Sequence, residues 1–374
     1  MNIALVVPHM FMHRDVLPRV IFSPGELALA LAAGLERSGV TVTLYTPGPV
    51  DTLVRNVTAD LTGFEAELKV RGDTYVDLLK KHPLVFVSLA RSVQSEIVAR
   101  AFASANAGEH DVVHIYANEE DVALPFARFC KRPVVFTHHD PFDFLVRYRR
   151  NYPHYKALNW ISMSLAQRNG MPADTNWVAN IYHGLDPQAF KARFSGDSDY
   201  ALYLGRMIES KGVHLAISAV REYNRTADRR LRLVIAGKHY SGNSKHDYWA
   251  TRIEPEIDGV EIEYRGFVRG EERAQLLAGA RALVAPSTFN EPFGMVLIEA
   301  LASGTPVVGL ANGAIPEVVR DGETGFVVGA PEELAGALAR IGEIDRRACR
   351  ADFEARFTLD RMVAGHLAAY RSLL

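Results

Sequence analysis

What most constrains this chain is an alternation, run through twice, of short apolar runs and longer stretches of helical period. In the first half, buried strands are expected near 2–7, 41–45, 84–88, 112–116 and 133–137. Each run is too short for a helix and is bounded by Gly, Pro or polar clusters. Between the first two lies Glu26 to Ser38, rich in Ala and Leu and stopping at Gly39, a helix C-terminal signal. Two buried strands bracketing such a helix form a βαβ unit, which demands a parallel sheet. The second half restarts the pattern. A strand at 201–204 leads into Gly205-Arg206 and a helix through Val220, and further strands fall at 231–236, 261–265, 282–285, 305–309 and 325–328. The Gly-, Asp- and Ser-rich stretch 184–200 reads as the linker. The expected fold is therefore α/β: two Rossmann-like, doubly wound domains facing across a cleft, with ligands beyond the carboxyl ends of the strands.

Composition agrees with that division and removes several function classes. A chain of 374 residues suits two domains at roughly 100–200 residues each. Lys plus Arg total 42 against 44 Asp plus Glu, so the basic excess of a general nucleic-acid binder is missing. Cys130 and Cys349 are too few and too far apart for a disulfide framework or a zinc cluster, and fit reduced thiols. Met1-Asn2 runs directly into Ile3–Val7 with neither a basic segment nor a long apolar one, so no signal peptide is expected. No apolar run approaches the roughly 18–20 residues that span a bilayer. The expectation is a cytoplasmic protein, with peripheral contact at the inner face of a membrane left open.

The densest chemical signal runs from Ala285 to Val328. A strand ends near Ala285, a polar loop carries Glu291, and a helix begins around Phe293-Gly294. The free amides and positive dipole end of that helix suit a phosphate. Glu299, farther into the helix, is placed to meet a ribose diol, and Glu291 another polyol. At the start of the same half, Arg206 follows a strand and Lys211 stands five residues on, two cations suited to a diphosphate leaving group.

These segments, taken together, resemble the donor signature of family-4 glycosyltransferases, retaining enzymes with the GT-B fold. The resemblance rests on Glu291-Pro292-Phe293-Gly294, Glu299-Ala300, Gly304-x-Pro306-Val307-Val308 and Gly205-Arg206 with Lys211-Gly212. It implies that Arg206 and Lys211 clamp the donor diphosphate, and that Gly294, Phe293, Met295 and Val296 supply backbone around it. Val268, in Tyr264–Val268, would line the nucleobase pocket. Ser23-Pro24-Gly25-Glu26 resembles the family's glycine-rich loop, with Pro24 replacing a glycine, and Gly25 becomes a donor-side candidate. Thr137-His138-His139 resembles the family's Thr-x-His and places His139 beside the transferred sugar. Phe357, Met362, Val363, His366, Leu367, Tyr370 and Leu374 trace a helical face that the fold would pack back on the first domain. The implied division is 1–190 for the acceptor side, 191–352 for the nucleotide-sugar side and 353–374 for the returning helix.

The function so implied is retaining transfer of a hexosyl unit from a nucleotide-diphosphate sugar to an acceptor hydroxyl. It needs no metal and no cofactor beyond the donor co-substrate; His139, Glu291, Arg206 and Lys211 carry the chemistry. The acceptor is left open among a glycan, a lipid-linked and a small-molecule hydroxyl. The cationic and aromatic stretch Arg147–Lys156 is read as a grip for an anionic acceptor, as contact with lipid head groups, or as a plain solvated helix. An epimerase of the same two-domain fold is the alternative, although no acid/base pair for a sugar C2 stands out. A hydrolase pairing Glu291 with Glu299 is disfavoured. Eight helical residues span roughly 12 Å, beyond the roughly 5–9.5 Å of paired glycosidase carboxylates. No Gly-x-Gly-x-x-Gly follows Ile3–Val7, which argues against a dinucleotide-linked oxidoreductase.

Overall fold

The computed structural model describes residues 1–239 and 247–374. They form two compact units. The first comprises Met1–Met163, Arg168–Ile181 and Leu359–Leu374, and the second Ser164–Gln167 and Tyr182–Thr358.

In the first unit, strands β1 (Asn2–Val6), β2 (Thr41–Thr46), β3 (Arg55–Thr58), β4 (Val112–Tyr116), β5 (Val134–Thr137), β6 (Asn159–Ser162) and β7 (Trp177–Asn180) form one parallel sheet. Its order is β3-β2-β1-β4-β5-β6-β7, so the winding reverses between β1 and β4. Helices α1 (Ser23–Arg37), α2 (Thr62–Arg71), α3 (Tyr75–Lys81), α4 (Pro83–Asn106) and α5 (Val146–Asn151) connect these strands.

The expected strand at 84–88 is the first turn of α4. Pro83 sits in that turn, where its missing N–H costs no hydrogen bond. Phe86, Ala90, Val93 and Ile97 then recur on one buried face, while Leu84 and Val87 are exposed. Three strands fell outside the expected set, β3, β6 and β7. All are short, and β3 and β7 are only half-buried.

In the second unit, strands β8 (Tyr200–Leu204), β9 (Arg232–Ala236), β10 (Ile262–Tyr264), β11 (Ala282–Ala285), β12 (Val307–Leu310) and β13 (Gly325–Val328) form a second parallel sheet. Its order is β10-β9-β8-β11-β12-β13, reversing between β8 and β11. The helices are α6 (Val213–Thr226), α7 (Gly270–Gly279), α8 (Met295–Ala302), α9 (Ile315–Val318), α10 (Leu334–Arg340) and α11 (Arg346–Arg356). Every strand expected in this half is present, and most are short apolar runs buried within the sheet.

The division falls elsewhere than the sequence suggested. The second unit begins at Tyr182, ahead of the expected 191, because the segment after β7 is anchored by α11. Arg350 donates to the carbonyls of Pro187 and Phe190, and Arg346 to that of Arg193. The final helix also starts later than 353. Residues 353–356 complete α11, Leu185 bridges Thr358, and only α12 (Leu359–Ser372) joins the first unit. There α12 packs along α1, and Tyr370 Oη lies 2.7 Å from His114 Nδ1 in the centre of the first sheet. The other nitrogen of His114 meets Thr137 Oγ1 at 2.8 Å, so α12 is tied to the end of β5 through one buried imidazole.

Candidate active site

In doubly wound sheets the exits of the two strands flanking the reversal diverge and leave a crevice. In the second unit those strands are β8 and β11, and their exits carry the cations and the first carboxylate of the sequence motif. Arg206 is exposed just past β8, and its carbonyl accepts from Tyr203 Oη at 3.0 Å. The chain then makes a short turn at Glu209–Lys211 that is bolted to the β11 exit. Thr288 N donates to Ser210 O at 2.9 Å, and Phe289 N to the same oxygen at 3.2 Å.

That bolt brings together residues 80 positions apart. Lys211 Nζ is ion-paired with Glu291 Oε2, and Nζ lies 5.1 Å from the centre of the Phe289 ring. Both side chains are only about one-sixth exposed, at 17% and 16%. Glu291 is fixed from behind by the β12 exit: its carbonyl accepts from Ala314 N at 2.7 Å, and Asn312 Nδ2 holds Ser287 O at 2.8 Å. Gly313 makes this approach feasible. Its φ is +55°, and a Cβ there would lie 2.2 Å from Glu291 N.

Helix α8 opens at Gly294, whose φ is +89°. Met295 and Val296, half-exposed, are the first two helical residues, whose amides have no intrahelical acceptor. The side chain of Phe293 is buried instead, against His183 at 4.9 Å and Tyr182 and Phe357 at 6.0 Å, so it can offer the site only its backbone. Val268 is likewise buried, whereas Phe267 beside it is exposed beneath Arg269. Glu299, one turn inside α8, is buried and ion-paired with Arg273 of α7. The two glutamates of the motif thus have separate cationic partners and do not form a carboxyl pair.

His139 and Gly25 belong to the first unit. His139 follows β5, buried with its ring 4.6 Å from Tyr116. Gly25 does not stand in an open loop. Pro24 lets the helix begin at Ser23, ahead of the expected Glu26, and Gly25 lies in its first turn with its N–H on Phe22 O at 3.0 Å. Of the cationic stretch, Arg147 is neutralised by Glu119 at 3.1–3.2 Å, and Tyr148 and Tyr152 are core residues. Burial alone would raise the Glu119 carboxyl; the Arg147 hydrogen bonds outweigh it and hold it below the usual range. Arg149 and Arg150 remain exposed.

Sequence reasoning missed three groups. Arg273 carries no motif; the only hint was that a carboxylate on a buried helix face needs a counter-charge. Glu120 is fully buried, accepting from Tyr152 Oη and facing His138 Nδ1, each at 3.0 Å, and burial raises its carboxyl. Ala117 and Glu119, with φ of +99° and +87°, hold left-handed backbone beyond β4 at the reversal of the first sheet. Such strain in non-glycine residues is concentrated at functional sites.

Residues 186–355 match the family model described as glycosyl transferases group 1. The matched segment makes up a little under half of the chain. Among curated relatives, the D-inositol 3-phosphate glycosyltransferase of Corynebacterium glutamicum is 38% identical over 153 residues, 40% of this chain and 36% of the relative. The glycogen synthase of Mycobacterium tuberculosis is 34% identical over 191 residues, 50% of this chain and 44% of the relative. The chain thus spans about two-fifths of the length of these relatives. Solved structures extend the likeness over both units. Sucrose-phosphate synthase from Thermosynechococcus elongatus superposes with a TM-score of 0.70 at 18% identity, covering 100% of this chain and 99% of that one. The Anabaena protein HepE, crystallised with UDP and glucose, gives 0.67 at 19% with both chains covered in full. The fold is GT-B, as the donor motif implied. Among the described residues, no helix is long and apolar enough to cross a membrane.

Proposed function

We propose that this protein is a retaining hexosyltransferase that moves a sugar from a nucleotide diphosphate to an acceptor hydroxyl. The observation that carries the reading is the Lys211–Glu291 pair, built from the two strand exits at the sheet reversal and shielded from water. A cation and a polyol-binding carboxylate held side by side are what a sugar diphosphate presents a use for: phosphate oxygens on one side, sugar hydroxyls on the other.

In the transfer, the bond from the anomeric carbon to the diphosphate oxygen breaks and a bond to the acceptor oxygen forms. The acceptor proton passes to the leaving phosphate, which stays on the same face, so configuration is retained. Lys211, Arg206 and the amides of Met295 and Val296 stabilise the charge that grows on the diphosphate. These groups supply the positive charge a metal would otherwise bring, so no metal is required. Glu291 orients the sugar hydroxyls, and Glu299 takes the ribose diol. His139 keeps the role that its resemblance to the family's Thr-x-His implies, toward the sugar hydroxyls.

The test is a panel of UDP-, GDP- and ADP-hexoses, with and without glycan, lipid-linked and small polyol acceptors, read by mass spectrometry in the presence of a chelator. Acceptor-dependent release of nucleoside diphosphate with a glycosylated product is the expected result. Acceptor-independent release to free sugar would show a hydrolase, and a free epimer an isomerase. A requirement for added metal would refute the metal-free part of the reading.

A further inference from the structure

We propose that Arg273 is a positioning residue for Glu299 and thereby sets the preference for a ribonucleotide over a 2′-deoxyribonucleotide donor. This rests on the donor reading above, in which Glu299 meets the ribose. Glu299 is 6% exposed at its side chain, and a carboxylate taken that far out of water tends to bind a proton unless a positive charge compensates. A protonated Glu299 would turn one acceptor oxygen into a donor and could no longer receive both hydroxyls of a vicinal diol.

Arg273 supplies a counter-charge in a particular geometry. Nη2, a single guanidinium nitrogen, sits astride both carboxylate oxygens. Each oxygen of an ionised carboxylate has two acceptor positions, so one nitrogen shared between the two oxygens does not exhaust them. The rest of the guanidinium is not used up by the fold. Arg273 is 35% exposed at its side chain, and its Nε is buried with no hydrogen-bond partner among the described residues. An arginine present only to pack α7 on α8 would be expected to have that donor satisfied. Arg273 also lies on the helix that follows Phe267-Val268, so one element bears on both the nucleobase segment and the ribose carboxylate.

The experiment is calorimetric titration of the full chain with UDP, GDP and ADP and their 2′-deoxy counterparts, on the wild type, Arg273→Gln and Arg273→Lys, with thermal melts to establish folding. The wild type should prefer the ribose form by about tenfold or more, the worth of a hydrogen bond to a charged group. In Arg273→Gln that preference should fall below about threefold, through weaker ribonucleotide binding, while affinity for the 2′-deoxy form is unchanged. Arg273→Lys keeps the charge but withdraws the nitrogen from the two oxygens, and should fall between. An intact preference in either variant, or an equal loss of both forms in Arg273→Gln, overturns the proposal. A wild type that binds diphosphates without preferring ribose overturns it alone; a wild type that binds no nucleoside diphosphate refutes the donor reading itself.

Discussion

Removing Lys211 should damage catalysis and stability together, and the two losses have different causes. In Lys211→Ala the leaving diphosphate loses one preorganised cation. Removing a comparable single group from a charge-stabilising site costs about 10²–10³ in turnover. The folded state meanwhile keeps Glu291, 16% exposed, without the ammonium that balanced it. Breaking a fully buried pair by removing one partner costs about 3–5 kcal/mol, and an exposed pair is worth about 0–1 kcal/mol. At one-sixth exposure on each side, we place the Lys211–Glu291 coupling between those limits, at about 1–2 kcal/mol. The assay is a double-mutant cycle with Lys211→Ala, Glu291→Gln and the pair, measured both by denaturation and by donor turnover. At about 2–4 °C per kcal/mol for a domain of this size, Lys211→Ala should melt about 2–8 °C lower. The double variant should be less destabilised than the sum of the singles, because the neutral amide introduced by Glu291→Gln leaves no uncompensated charge when the ammonium is gone. Additive stability losses would refute the reasoning about the pair. Turnover by Lys211→Ala within about threefold of wild type would refute its place at the diphosphate.

Three further outcomes are expected. Arg346 is buried and donates to Arg193 O, Ala280 O, Ala278 O and Thr305 Oγ1 at 2.7–2.9 Å, so Arg346→Ala strips partners from four oxygens and should cost about 3–5 kcal/mol in urea denaturation. Gly313→Ala should displace the Glu291 loop, lowering turnover and melting temperature, whereas Gly342→Ala, in open space, should leave both near wild type. His366 is buried on α12 and its Nδ1–H donates to Met362 O at 2.8 Å; burial pushes its pKa down from 6.5 to about 4. The unfolded chain therefore takes up that proton first. Stability from this group is full above pH 6.5 and falls by up to about 3 kcal/mol as the pH drops to about 4. Denaturation midpoints across that range should show the slope, and His366→Leu should reduce it, leaving the share of His9 and His114, whose imidazoles burial also holds low.

The second unit was legible in the sequence almost strand for strand, because parallel strands buried on both faces are short continuous apolar runs. The same property misled at 84–88. Leu84-Val85-Phe86-Val87 is apolar whether it forms a strand or the first turn of a helix, and only the later spacing of Ala90, Val93 and Ile97 decides. In the site, Lys211 and Glu291 were each legible from their own strand exits. Their pairing was not, since it depends on Ser210 O catching two amides across 80 residues of chain. Gly25 was misplaced because Pro24 reads equally as a loop residue and as an occupant of a first helical turn. Arg273 left no local trace at all: the need it meets arises only once Glu299 is buried.

The membership of α12 in the first unit has a consequence for how a ribosome must deliver this protein. The segment 182–358, which makes up nearly all of the second unit, emerges in full before the first unit receives its last helix. At about 5–20 residues per second, that interval lasts roughly 10–35 s. Throughout it the nascent first unit presents the flank of α1 where Val363 will settle on Gly34, and His114 waits in mid-sheet for Tyr370. A bare apolar helix flank on a tethered, unfinished unit is a natural client surface for a cotranslational chaperone, and the emergence of residues 359–372 is the event that lets α12 cover it.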